Sequence, residues 1–91
     1  MSEYPYKEIV KFKKAGSYQI VVQGFVPESR SDLLAGMSIT HNTMENGTPR
    51  TLLRGHLRDQ TQLSGVLNIL YEWHMPILLV EYINEDYGFK E

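Results

Sequence analysis

Polar and apolar residues alternate with period two in several short stretches of the chain and with period 3.6 in one longer stretch, and this contrast sets out the elements. From Ser17 to Phe25, Tyr18, Ile20 and Val22 fall on one face and Gln19 and Gln23 on the other, as in a half-buried strand, which Gly24 and Pro27 close. Pro27 to Gly36 is short. Ser29 or Ser31 is placed to cap a turn or two of helix through Asp32-Leu33-Leu34-Ala35, with Gly36 ending it. Strands are expected at about 37–43 and 51–57, joined through Glu45-Asn46-Gly47-Thr48-Pro49, whose Asn-Gly pair is a hairpin signal.

Side chains decide the register of that hairpin. A two-residue Asn46-Gly47 loop pairs Ile39 with Arg54 and Met37 with His56, and splits the apolar set between the faces. A loop of three or five residues pairs Met37 with Leu57, Ile39 with Gly55 and His41 with Leu53. The apolar residues then share one face, and Ser38, Thr40, Arg54 and His56 point away. A one-residue slip flips every side chain, so the odd loop is expected.

The helical period runs over about 60–74, where Leu63, Val66, Leu67, Leu70 and His74 form a stripe. Asp59 is a good N-cap, Gln62 stands where a capping box places it, and Met75-Pro76 stops the helix. A last strand over 77–83 is apolar on both sides except at Glu81, with Ile77, Leu79 and Ile83 on one face and Leu78, Val80 and Tyr82 on the other. The chain thus divides into an N-terminal arm or extra edge strand (1–16), a single α+β domain (17–83) and a polar C-terminal tail (84–91). The natural closure is a ferredoxin-like antiparallel sheet with helices on one face, the first helix short or degenerate. The alternative is a three-strand meander with one crossover helix and a fourth strand.

Composition narrows the chemistry. The 91 residues contain no cysteine, which removes disulfides, thiol catalysis and cysteine-bound zinc. Lys and Arg number 9 against 11 Asp and Glu, a net charge of −2, which disfavours a dedicated nucleic-acid binder. Lys7, Lys11, Lys13 and Lys14 lie among Tyr4, Tyr6 and Phe12, a mix that can grip a backbone and stack bases, although a solubilising arm is the plainer role. No apolar run is long enough for a membrane helix and the first residues lack signal-peptide order, so the chain reads as soluble and cytoplasmic.

At Gly55-x-Leu57-x-Asp59-Gln60-x-x-Leu63-x-Gly65-x-Leu67 the sequence resembles a family of short uncharacterised bacterial proteins, in which a G-x-P-L-L-x-V strand follows the helix. Here that piece reads His74-Met75-Pro76-Ile77-Leu78-Leu79-Val80, departing at the glycine and at Leu79. The likeness spans roughly residues 17–83 and implies a fold but no activity. The strand–Asp59–helix–strand half is also similar to the effector-binding ACT domain, but Gly65 falls inside the helix instead of beside the aspartate. That likeness implies a regulatory small-molecule ligand held between subunits near Asp59 and Gln60.

Candidate chemistry is sparse. His41 and His56 point to opposite faces in the odd-loop register, so no metal site is expected. His41 is expected at a strand end, partly covered by the helix layer, and His74 at the helix C-terminus, where a cation suits the dipole. Neither a paired carboxylate nor a phosphate loop is evident, and no cofactor is implied. A cofactor-free enzyme using Tyr18, Tyr82, Trp73 and His41 is a second alternative, but a non-enzymatic role is preferred. Asp59, Gln60, His41, Arg54 and His56 are the candidate ligand-binding residues. Val21, Leu52, Leu79 and Ile83 lie on the side of the sheet away from the helices, where an apolar surface calls for a partner. The reading preferred here is a self-associating interaction module, a homodimer through that face.

Overall fold

The computed structural model describes residues 15–84. The expected arm strand, its basic-aromatic grip on nucleic acid and the polar tail lie outside the described residues, apart from Ala15, Gly16, which begins β1, and Asn84, which ends β4. The elements are β1 (Gly16–Gln23), a 3-10 helix (Glu28–Leu34), β2 (Ser38–Thr43), β3 (Pro49–Leu57), α1 (Gln60–Glu72) and β4 (Ile77–Asn84). Every strand pair is antiparallel and the sheet order is β2-β3-β1-β4. The fold is therefore α+β. Because β3 separates β1 from β2, the meander alternative is excluded.

Strands β1 and β2 run in the same direction, so the chain must return along the sheet between them. Seven residues cover that return as a 3-10 helix, advancing about 14 Å against about 10 Å for an α-helix. The longer rise per residue explains the choice. Neither Ser29 nor Ser31 caps this helix: Pro27 occupies the N-cap without a side-chain bond, and Ser31 Oγ instead donates to the Met37 carbonyl at 2.8 Å. Ala35 and Gly36 end it in left-handed conformation, with φ of 59° and 72°.

The hairpin loop is odd, as the side-chain pattern requires, but its partners sit two residues away from those expected. Ile39 faces Leu53, His41 faces Thr51 and Ser38 faces Arg54. Met44 and Thr48 close a loop of Glu45, Asn46 and Gly47, whose last residue takes φ 91°. A three-residue loop wants glycine at its left-handed end position, so Asn46-Gly47 ends the loop instead of starting its second half. Gly55 then lies against Met37, whose Cα would be only 3.2 Å from an added Cβ.

Tyr18, Ile20 and Val22 of β1, Ile39 of β2 and Leu53 and Leu57 of β3 form one core with Leu63, Val66, Leu67 and Leu70 of α1, and Val26, Leu34 and Met37 close it. Burying four such helix side chains is worth about 6–12 kcal/mol before entropy, so packing, and not the cap, holds α1 in place. The helix ends at Glu72, two residues early. His74 N–H donates to the Tyr71 carbonyl and Met75 N–H to the Leu70 carbonyl, and His74 takes φ 61°. That is a Schellman close, normally made by glycine. His74 therefore belongs to the turn and not to the apolar stripe.

One buried polar side chain fixes the start of the crossover. Thr51 is fully buried; its Oγ1 accepts from Val26 N–H at 3.0 Å and donates to the Gly24 carbonyl at 2.7 Å. Replacing Thr51 with the isosteric Val should cost about 2 kcal/mol, since both backbone groups lose their partner inside the protein, while Thr51→Ser should cost less; urea unfolding checks both. His74→Gly should stabilise by about 1 kcal/mol, seen as a rise in Tm of about 4–8 °C.

Candidate functional site on the open face of the sheet

The side of the sheet away from the core carries two ordered rows. Thr40, Leu52, Val21 and Leu79 lie side by side across the four strands, and Ser38, Arg54, Gln19 and Glu81 form the next row. His56 follows beside Ser17. Val21 is only 7 % exposed although no helix among the described residues covers it; it sits on a central strand between Leu52 and Leu79. Leu79 itself is 43 % exposed.

Strand β4 departs from simple alternation. Val22 faces Ile77 and Val21 faces Leu79, so Leu78 is an extra residue; a second shift between Ser17 and Tyr18 places Ile83 one step beyond the Tyr18–Tyr82 pair. Ile77, expected beside Leu79, turns into the core with Val80 and Tyr82. Leu78, expected on the core side, is left 44 % exposed. The extra residue resets the phase of the strand.

The candidate binding residues are scattered. Asp59 Oδ1 accepts from Gln62 N–H at 2.9 Å, and Gln62 Oε1 returns to Arg58 N–H at 2.8 Å, so this aspartate is engaged as a helix cap beside half-buried Gln60. Arg54 and His56 are exposed on the open face. His41 lies on the opposite face, exposed, and the helix layer does not cover it. Its ring stacks on Phe25 with centroids 4.3 Å apart, and Nε2 donates to the Val26 carbonyl at 2.7 Å. The crossover reaches His41 because Thr51, its partner on β3, ties down Gly24 and Val26 on either side of Phe25. No cluster of metal-binding side chains occurs among the described residues.

The four residues of the enzyme alternative do not converge. Tyr18 and Tyr82 meet edge-to-face, centroids 5.2 Å apart, near the start of β1, and burial, with a smaller contribution from Tyr82, raises the pKa of the Tyr18 hydroxyl above the ordinary tyrosine value. His41 and Trp73 lie towards the other end, separated by the Phe25–Pro27 segment. A concavity of about 550 Å³ under the hairpin tip is lined by Thr43, Met44, Glu45, Asn46 and Arg50. Its walls are mostly polar loop, with Arg50 already bonded to Asn42 at 2.8 Å.

The model of a domain of unknown function, DUF8691, matches residues 17–81, from β1 into β4. The chain belongs to that family. No curated protein and no solved structure matches it. The matched segment holds both rows of the open face, the Thr51 clamp and the helix cap, and no helix among the described residues is long and apolar enough to cross a membrane.

Sequence reasoning missed a second surface of the DUF8691 domain. Phe25, Val26, Pro27 and Arg30 of the crossover face Trp73 and Met75 across a groove of about 280 Å³, and the Arg30 guanidinium carbon lies 5.3 Å from the centre of the Trp73 ring. The only available signal was an apolar Phe25-Val26-Pro27 run continuing past the strand-ending Gly24. Asp59→Ala should cost about 1 kcal/mol through the lost cap and leave the fold intact, as thermal unfolding followed by circular dichroism would show.

Proposed function

We propose that this chain is a small self-associating interaction module of ferredoxin-like form, pairing with a second copy through the open face of its sheet. The observation that carries the reading is the order of the two rows. The apolar row puts Leu52 and Leu79 on either side of Val21, and the next row puts Arg54 and Glu81 on either side of Gln19. A twofold axis parallel to β1 exchanges the two sides. It would set Val21 on Val21, Leu52 on Leu79, and Arg54 over Glu81 of the second copy. The face is thus complementary to itself in both shape class and charge, as an isologous interface requires.

Size sets the strength. The three strands that this axis superposes, β3, β1 and β4, at about eight residues each, give a face of about 400 Å² per copy, about 800 Å² in all, the size of weak, transient association. Micromolar affinity is the matching scale.

Sedimentation of the full chain at about 50 µM should give twice the 10.5 kDa chain mass. Leu79→Lys should leave a folded monomer. Arg54→Glu should weaken the dimer by about 3- to 10-fold, and adding Glu81→Arg should restore it. A wild-type chain that stays at 10.5 kDa throughout, or a double variant no tighter than the single one, overturns the proposal.

A further inference from the structure

The groove between the crossover and the end of α1 lies on the other side of the sheet from the proposed dimer face, and its chemistry stands independently of that reading. We infer that it is a binding site for a small aromatic carboxylate, with the ring between Phe25 and Trp73 and the carboxylate on Arg30.

Shape and lining come first. Phe25, Pro27, Trp73 and Met75 present two aromatic rings, a pyrrolidine ring and a thioether to a space of about 280 Å³. That is just below the range of pockets for drug-sized ligands, and suits one ring with a short acidic arm. Phe25 is 60 % exposed, an unusual position for a phenylalanine whose neighbour Val26 is in the core. It is nevertheless held: its ring stacks on His41, and the backbone on its C-terminal side is bonded to Thr51 and His41. The wall is therefore preformed, which lowers the ordering cost of binding.

Charge comes second. Arg30 is the one charged residue of the lining, and its guanidinium rests on the Trp73 ring. Among the described residues it meets no carboxylate. A planar cation at the rim of an aromatic groove, whose side-chain N–H groups meet no acceptor among the described residues, matches a carboxylate, whose two oxygens it can take side by side. Neither a neutral aromatic nor an aliphatic acid uses both halves of the site.

Trp73 is the only tryptophan of the chain, so its fluorescence reports on the groove directly. Titration of the full chain with 3-phenylpropionate should give a saturable change with Kd of about 1 mM or tighter. The amide 3-phenylpropanamide should bind about 10-fold more weakly, as should 3-phenylpropionate to the Arg30→Gln variant, with Arg30→Lys intermediate. Amide shifts of Phe25 and Val26 in heteronuclear NMR spectra should follow the same titration. No saturable change up to about 20 mM, equal binding of acid and amide, or shifts confined to other residues would overturn the site. Tighter binding of a short acidic-aromatic peptide than of the acid, by about 10-fold, would also overturn it, in favour of a protein partner.

Discussion

The fold depends on how residues 24–26 are held. Strands β1 and β2 run in the same direction with β3 between them, so the crossover has to leave the end of β1 at a sharp angle and lie over the sheet. Gly24 makes the turn with φ 115°, in a space where an added Cβ would strike Met75. Thr51 then supplies one acceptor and one donor from β3, and His41 supplies a donor from β2. Hydroxyl chemistry suits this position because one oxygen can do both jobs. Valine would fill the same space but would leave the buried Val26 N–H and the partly buried Gly24 carbonyl without this partner, at a cost of about 2 kcal/mol.

Three connections converge at that same end of the sheet. Gln23 N–H donates to the Pro76 carbonyl and Gly24 N–H to the Pro49 carbonyl, both at 2.9 Å, so the end of β1 is bonded to the start of β4 and to the start of β3. The Schellman turn through His74 delivers Met75 onto Gly24. Backbone hydrogen bonds thereby fix the crossover against the end of α1, and the side chains left over at that junction, Phe25, Arg30 and Trp73, are free of any structural duty that would consume their polar or aromatic faces completely. The groove between the crossover and the end of α1 follows from how the chain turns there.

Much of this was legible in the residues. Periodicity located four strands and the long helix, parity of the hairpin loop assigned the faces, and Asp59 was recognised as a cap. What escaped has physical causes. Two-residue periodicity fixes the face of a strand but not its partner, so Ile39 could slide from Gly55 to Leu53 without breaking the pattern. The 3-10 helix is chosen by the distance it must cover, which no local propensity encodes. The extra residue in β4 is invisible in a run of four apolar residues, because either phase looks equally buried. Of the candidate site, the open-face residues Val21, Leu52, Arg54 and Leu79 were readable from alternation. The groove was not, since it joins two segments more than forty positions apart and is created by bonds from Thr51 and His41 to backbone atoms.

The extra residue in β4 links the core to the open face. Without Leu78 as an insertion, strict alternation would put Ile77 outside beside Leu79 and Leu78 inside. The core next to Val22 would then be filled by a different side chain and the open face would carry a longer apolar strip. With it, Ile77 completes the core opposite Val22, while Leu79 alone continues the row of Leu52 and Val21. A long flat apolar edge strand invites unlimited pairing with other chains. A kink at Leu78 breaks that flatness, with Glu81 on the next row. The same irregularity that fills the core therefore leaves Leu78 and Leu79 about equally exposed, at 44 % and 43 %, on an edge strand that is no longer flat.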